Sequence, residues 1–343
     1  MDYRIFIVIA VLLASSPVIH SIDFEDYDED VAALLREYQN QSNPDQSYTP
    51  SILSYSTAKT SKTIVDFERG IIYMNASTPE TLRDAIIDVV LTQIDPSVID
   101  AQTAIDFGLI NEETNKPFFW GQVLDHKGKP ISSRRPALDF ANFLLRKKTF
   151  SDGRFEVTIR MIDAHKKIAG AKYVSFVKAA CLEYSVSSSL VMAIMETESS
   201  FNPLARSRSN ALGLMQVKAN TAGRDYFSLI KGYKHTPSSK FLYSPKNNIE
   251  VATGYLNILS SRYLRGIEDP KKLEYAMISS YNGGAGNLWK SLDKSGNKTK
   301  ALKRINQMST KQFYWFLTNR HIRQETREYL KKVNDRKSKY TLI

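Results

Sequence analysis

The chain has 343 residues, 42% of them apolar and 24% charged. That length suits two domains, and the composition excludes a disordered chain, a collagen-like repeat and a polytopic membrane protein. Lys and Arg outnumber Asp and Glu by 47 to 36, a formal charge of +11. The first thirty residues hold seven acids against one base, Arg4, so the rest of the chain stands at +17. A body this basic attracts polyanions: nucleic acid, anionic lipid headgroups or an acidic wall polymer.

From the N-terminus, Ile5 to Ala14 is apolar, follows Arg4 and precedes Ser15-Ser16-Pro17. Ten apolar residues span about 15 Å as a helix, half of a bilayer core. The pattern predicts a secretory signal peptide over 1–21, with an uncleaved anchor reaching Ile19 as the competing reading. No cysteine lies there to accept a lipid. Export to the bacterial periplasm is expected, with outer-membrane association left open.

Residues 22–62 read as an acidic segment followed by a Ser/Thr/Asn/Pro-rich linker or extended stretch. Alternation through Ile64, Asp66 and Glu68, a turn at Arg69-Gly70 and then Ile71-Ile72-Tyr73-Met74 predict a hairpin. A helix is expected over Pro79 to Ile94, with Thr78 as its cap and Leu82, Ile86, Val89 and Val90 on one face. Asp139 to Lys147 is helical in pattern, and Arg154 to Ile162 alternates as a strand. Residues 63–165 are thus expected to form an α+β accessory domain.

From 166 to 343 the pattern is all-α. Tyr173, Phe176, Val177, Ala180 and Tyr184 share one stripe, and Ser187 caps a helix whose Leu190, Ile194 and Met195 face a core. Further helices are expected through Ile249–Tyr263, Leu273–Ser280, Thr310–Asn319 and Glu325–Val333. The single cysteine, Cys181, rules out an internal disulfide and a Cys-rich zinc site. Its helical neighbours Phe176, Val177 and Tyr184 predict a buried structural thiol. The five histidines are scattered, with no HExxH motif. No metal and no cofactor are expected.

Three segments carry chemistry. Glu198 lies four residues past Ile194 and eight past Leu190, so it projects from the apolar face, in the last turn before Pro203. Desolvation and the helix C-terminus both disfavour its anion, so it suits a general acid; an exposed helix-end carboxylate is the alternative. Glu196 points to a different side and does not pair with it. Ser207-Arg-Ser-Asn-Ala-Leu-Gly-Leu-Met-Gln216 reads as a tight turn that sets one polar group toward a groove, or as ordinary loop packing; Met215 reads as core. Ser280-Tyr-Asn-Gly-Gly-Ala-Gly286 has no preceding strand and no following Lys-Ser/Thr, which excludes a phosphate loop.

Taken in order, Glu198-Ser-Ser-Phe-Asn-Pro203, Gly213-Leu-Met-Gln216, Tyr281-Asn-Gly-Gly284 and Glu325-Thr-Arg-Glu-Tyr329 resemble the catalytic domain of the soluble lytic transglycosylase family. Ile322 stands where that family usually has a proline. Asp66 to Gly70, Phe118-Phe-Trp-Gly-Gln-Val-Leu-Asp125 and Asp139-Phe-Ala-Asn-Phe-Leu-Leu145 resemble the N-terminal domain of the membrane-bound lytic murein transglycosylase C family, whose lipid-accepting cysteine is missing here. The resemblance covers roughly residues 60–335 and implies a lysozyme-like fold for 166–343. It also implies cleavage of the MurNAc-β-1,4-GlcNAc bond of peptidoglycan glycan strands, with Glu198 as sole acid/base and closure of a 1,6-anhydro ring. Ser207 then matches a position contacting the substrate N-acetyl region, and Gln216, Tyr281 and Asn282 match groove-lining positions. Glu325 and Tyr329 match the closing motif, with Tyr329 close to Glu198.

Three other readings compete: a goose-type lysozyme-like hydrolase, a non-catalytic wall-binding or scaffolding protein, and a nucleic-acid binder. The last lacks a recognition motif and is disfavoured by the leader. The expected partner is peptidoglycan rather than nucleic acid. A peripheral membrane or wall-complex partner is compatible with the basic body.

Overall fold

A computed structural model describes residues 49–57, 60–92 and 116–342. The expected leader over 1–21 lies outside the described residues, as do residues 22–48 of the acidic segment. Among the described residues, no helix is long and apolar enough to cross a membrane.

The extended stretch before residue 63 supplies an edge strand, β1 (Ile52–Thr57). Its Ser/Thr-rich sequence reads as a linker, yet a strand paired on one side only needs no continuous apolar run. It runs antiparallel to β2 (Ser61–Asp66), which turns through Phe67–Gly70 into β3 (Ile71–Ala76). The buried Asp66 fixes that turn: its Oδ1 accepts the backbone N–H groups of Glu68 and Arg69, both at 2.8 Å. Glu68 is thereby held at a defined place on the surface of the sheet.

Helix α1 (Pro79–Leu91) follows, with Thr78 Oγ1 accepting the Thr81 N–H at 3.2 Å, a cap that stabilises by about 1 kcal/mol. Helix α2 (Arg134–Leu145) begins before the expected Asp139, because Pro136 fits a first turn and extends the helix ahead of its apolar positions. Strands β4 (Thr149–Ser151) and β5 (Arg154–Arg160) complete an antiparallel sheet of order β1-β2-β3-β5-β4. Val65, Ile72, Met74 and Val157 of the sheet meet Leu82, Ile86 and Phe140 of the helices in one buried cluster.

A second, larger cluster runs from Ala169 to Tyr340 and is built from helices. Helices α3 (His165–Ala171), α4 (Val174–Tyr184) and α5 (Ser188–Ser199) come first. A two-strand ladder of β6 (Ala211–Leu212) and β7 (Val217–Lys218) follows. Two π-type turns, Ala219–Gly223 and Phe227–Lys231, flank the short α6 (Arg224–Tyr226). Next come α7 (Ser239–Tyr243), α8 (Pro245–Ile258) with a π-type extension to Tyr263, and α9 (Pro270–Gly283). The chain closes with α10 (Ala285–Leu292), α11 (Lys298–Gln307), α12 (Thr310–Arg320) and α13 (Gln324–Lys337). The fold is an α+β unit followed by a helical domain.

Two expectations for this half are corrected. Phe176 is exposed rather than part of the buried stripe, whereas Val177, Ala180, Cys181 and Tyr184 are buried. Burial pushes the Cys181 thiol above its ordinary range. Ser187 stands at the N-cap of α5, but its hydroxyl pairs with Ser189 Oγ at 2.8 Å and caps no backbone N–H. Helix α5 does not need that cap. Leu190 to Met195 are buried on every side, so it is the central helix of the domain rather than an amphipathic one.

Candidate active site

Helix α5 ends in a left-handed turn at Ser200 and Phe201, with φ of 51° and 66°. The Ser200 N–H returns to the Glu196 carbonyl at 3.1 Å. Phe201 and Asn202 are buried, and Asn202 Nδ2 donates to the Pro50 carbonyl of the sheet domain at 2.8 Å. These contacts fix the last turn of α5, which carries Glu198.

The Tyr329 hydroxyl of α13 donates to Glu198 Oε1 at 2.7 Å. Burial pushes the Glu198 carboxyl up to about 7, and the negative charge of Glu325 adds to this. The Tyr329 hydrogen bond and Lys218 of β7 act in the opposite direction. An unshifted glutamate at 4.5 would be protonated in about one molecule in 300 at pH 7, whereas this one is protonated in about half. Tyr329 and Tyr281 are both raised well above the ordinary tyrosine range, first by burial and then by the charge of Glu198. Both remain neutral donors beside the carboxyl.

The Gly213–Gln216 loop is held by a residue with no sequence signal. The buried Asn248 of α8 accepts the Met215 N–H at 2.8 Å and donates to the carbonyls of Leu212 at 2.8 Å and Leu242 at 2.7 Å. Tyr281 of α9 donates to the Met215 carbonyl at 2.7 Å, which ties the loop to the Glu198 environment. Gln216 is nearly buried, and its Nε2 donates to the carbonyls of Ala205 and Gly213 at 3.0 and 2.9 Å. Its amide nitrogen is a brace of the loop. Its Oε1 is buried and has no hydrogen-bond partner among the described residues. Met215 is fully buried, as expected of a core residue.

Ser207 lies at the mouth of this loop, where its Oγ accepts the Ala211 N–H at 3.0 Å and sits 3.2 Å from Ser209 Oγ. Asn282 accepts from Thr326 Oγ1 at 2.7 Å and donates to Glu325 Oε1 at 3.3 Å. Glu325 is exposed and also pairs with Arg323 at 3.1 Å. Helices α9 and α13 meet so closely here that a Cβ on Gly283 would come within 2.7 Å of Thr326 Oγ1. The structure thus gathers Glu198, Tyr281, Gln216 and Tyr329 around one carboxyl and its loop, and sets Asn282 with Glu325 at the α9–α13 junction. Ser207 makes only local contacts. Asn248, Thr326 and Lys218 are additions that the sequence reading did not single out. Among the described residues, no group of three or more His, Cys, Asp or Glu side chains is placed to hold a metal ion.

Both halves of the chain match known families. Residues 175–303 match the family model of the transglycosylase SLT domain. Residues 31–172 match that of the N-terminal domain of membrane-bound lytic murein transglycosylase C. The membrane-bound lytic murein transglycosylase C of Edwardsiella ictaluri is 41% identical over 301 residues, 85% of this chain and 82% of that protein. The protein of that name from Salmonella typhimurium is 41% identical over 297 residues, 84% and 81% of the two chains. The chain belongs to the membrane-bound lytic murein transglycosylase C family. Among solved structures, the 70 kDa soluble lytic transglycosylase of Escherichia coli is 25% identical, with a TM-score of 0.37 over 49% of this chain and 24% of that one. An inactive variant of lytic transglycosylase Slt from Pseudomonas aeruginosa is 22% identical, with a TM-score of 0.35 over 48% and 23%.

Proposed function

We propose that Glu198 is the single acid/base with which this lytic murein transglycosylase cleaves the MurNAc-β-1,4-GlcNAc bond of peptidoglycan glycan strands. One observation carries the reading: a carboxyl poised at about 7 and hydrogen-bonded to a neutral Tyr329. A protonated Glu198 donates to the glycosidic oxygen as the C1–O bond of the muramoyl unit breaks, so the GlcNAc leaves with a free hydroxyl. The N-acetyl group of the muramoyl unit stabilises the cation developing at C1. Glu198, now a carboxylate, takes the proton of the muramoyl C6 hydroxyl as that oxygen bonds to C1. The ring closes as a 1,6-anhydro sugar, no water is consumed, and Glu198 is again protonated.

A two-carboxylate hydrolase needs a partner acid about 5–9.5 Å away to act as nucleophile or to activate water. Glu325 is the acid that acts on Glu198, and Arg323 and Asn282 already engage its carboxylate. That arrangement favours the intramolecular C6 hydroxyl over water. Gln216, Tyr281, Asn282 and Ser207 are assigned to the walls of the glycan groove, with Glu325 shaping its end.

The test is a digest of purified sacculi, with the products identified by mass spectrometry. Muropeptides ending in 1,6-anhydro-MurNAc are expected; reducing ends would establish a lysozyme-type hydrolase instead. Tyr329→Phe removes a bond that favours the Glu198 anion. The alkaline limb of its kcat profile is therefore expected to move to higher pH, with kcat lower by about tenfold from the lost orienting bond. An unshifted limb would remove Tyr329 from the acid's environment.

The formal charge of +11 fits the carboxylate-bearing peptide stems of the wall. Retention on insoluble peptidoglycan is expected to weaken as salt rises from about 0.05 to 0.5 M, in a pelleting assay. Salt-independent retention would exclude charge as the cause. These features suit action in the periplasm at the wall.

A further inference from the structure

The turn of the sheet domain reaches the active-site helix through one side chain. Glu68, at the β2–β3 turn, accepts from Arg336 Nη2 of α13 at 2.9 Å and from Lys166 Nζ of α3 at 2.9 Å. It also accepts from the hydroxyl of Ser200, the residue that terminates α5. The same Arg336 donates through Nη1 to the Glu196 carbonyl at 2.9 Å. Seven residues separate Tyr329 from Arg336, so the two lie two turns apart on one face of α13. Both reach α5, Tyr329 at Glu198 and Arg336 at Glu196. Glu196 is itself 1% exposed and receives Lys339 Nζ at 2.9 Å and the Tyr340 hydroxyl at 2.7 Å, with Lys166 at 3.8 Å.

We propose that Glu68 is a positioning residue through which the sheet domain sets the register of α13 against α5, and with it the Tyr329–Glu198 hydrogen bond. This rests on the reading of Glu198 as acid/base. The accessory domain then contributes to catalysis without touching substrate. Its carboxylate draws Arg336 and the end of α5 to one point, and the two helices are bound twice, at Glu196–Arg336 and at Glu198–Tyr329. Burial works against the Glu68 anion, but Ser200, Lys166 and Arg336 hold it below its ordinary range, so the clamp is charged at neutral pH.

Two effects of Glu68→Gln on Glu198 have opposite signs. Loosening α13 weakens the Tyr329 bond and shifts the alkaline limb of kcat upward. Removing a negative charge through space would shift it downward. The charged and titratable groups bearing on Glu198 are Tyr329 and Glu325 of α13, Tyr281 of α9 and Lys218 of β7, all unchanged by the substitution. Those facing Glu68 are Lys166 and Arg336, with Glu196 and Tyr340 behind them.

The experiment compares full-length wild type, Glu68→Gln, Tyr329→Phe, the double variant and Glu198→Gln on soluble glycan strands across pH. Lys331→Gln, which removes an exposed α13 charge paired with Glu328 and lying outside the closing motif, serves as control and should behave as wild type. Glu68→Gln is expected to lower kcat about tenfold with KM within about twofold, and to move the alkaline limb upward. In the Tyr329→Phe background it should add no more than about twofold. A less stable variant would lose its folded fraction first at alkaline pH, where the Glu198 anion costs the fold most, and its limb would move downward, so reduced stability cannot imitate an upward shift. An unshifted or downward-shifted limb, or effects that multiply independently, would overturn the inference. An active Glu198→Gln would instead overturn the acid/base assignment itself.

Discussion

Glu198→Gln is expected to lower turnover of glycan strands by about a thousandfold or more, with binding to sacculi retained. A positioned acid supplies about a hundred- to ten-thousandfold, and here the same group must also act as base, so both half-reactions are lost. The glutamine keeps the shape and can still accept the Tyr329 proton. The loss is therefore chemical, and mass spectrometry of the digest should show no anhydro ends.

The same substitution should make the protein more stable at alkaline pH. A carboxyl raised from 4.5 to about 7 by burial binds its proton more tightly folded than unfolded. Its cost to the fold is absent below about pH 4.5, grows as pH rises through that window and is complete above about 7. With allowance for partial exposure of the residue, the gain is about 1–2 kcal/mol. Thermal unfolding should show Glu198→Gln melting about 2–6 °C above wild type at pH 8 and level with it at pH 4. Equal melting temperatures at pH 8 would mean that Glu198 is not held in a desolvated state.

Gly213→Ala is expected to produce the largest loss of stability from a single methyl group. Gly213 has a φ of 72°, and a Cβ there would stand 2.4 Å from Asn248 Nδ2 and 2.7 Å from the Leu242 carbonyl. The left-handed backbone alone costs alanine about 1–2 kcal/mol. Displacing Asn248 breaks up to three buried hydrogen bonds, each worth about 1–3 kcal/mol when its partner is stranded. The sum is about 3–5 kcal/mol, read as a fall of about 10 °C in melting temperature. Activity should fall with it, because the Met215 carbonyl that orients Tyr281 belongs to the same loop. Gly128→Ala is the control: its φ is 74°, yet nothing lies within 4 Å of the added methyl. Its cost should stay near the backbone term. Similar losses from both substitutions would mean that close packing at Asn248 is not what requires glycine.

Much of this site is written locally. The placement of Glu198 in the last turn before Pro203 is local, and the Thr78 cap and the Phe67–Gly70 turn follow from residue types within a few positions of each other. Helices α8, α9, α12 and α13 carry periodicities that a single element determines. The misses have a common cause. Strand β1 is polar enough to read as a linker, and only its pairing with β2 makes it a strand. Helices α10 and α11 are short, and α11 offers few apolar positions, so packing rather than pattern maintains them.

Glu196 shows the limit most clearly. The sequence correctly sets it apart from Glu198, but not that it is buried among Arg336, Lys339 and Tyr340, some 140 residues onward. The Tyr329–Glu198 bond joins positions 131 apart, Asn248 reaches back 33 residues to Met215, and Glu68 meets Arg336 across 268. Periodicity and motif spacing report on residues that share an element, because helix and strand geometry fixes their relative directions. Partners on different elements have no such fixed offset. The sequence by itself determined most of the elements, the place of the proposed acid Glu198 at a helix end and the family's motifs. Only the packing of α13 and the sheet domain against α5 decided which groups tune that acid, because only folding brings them within hydrogen-bond reach.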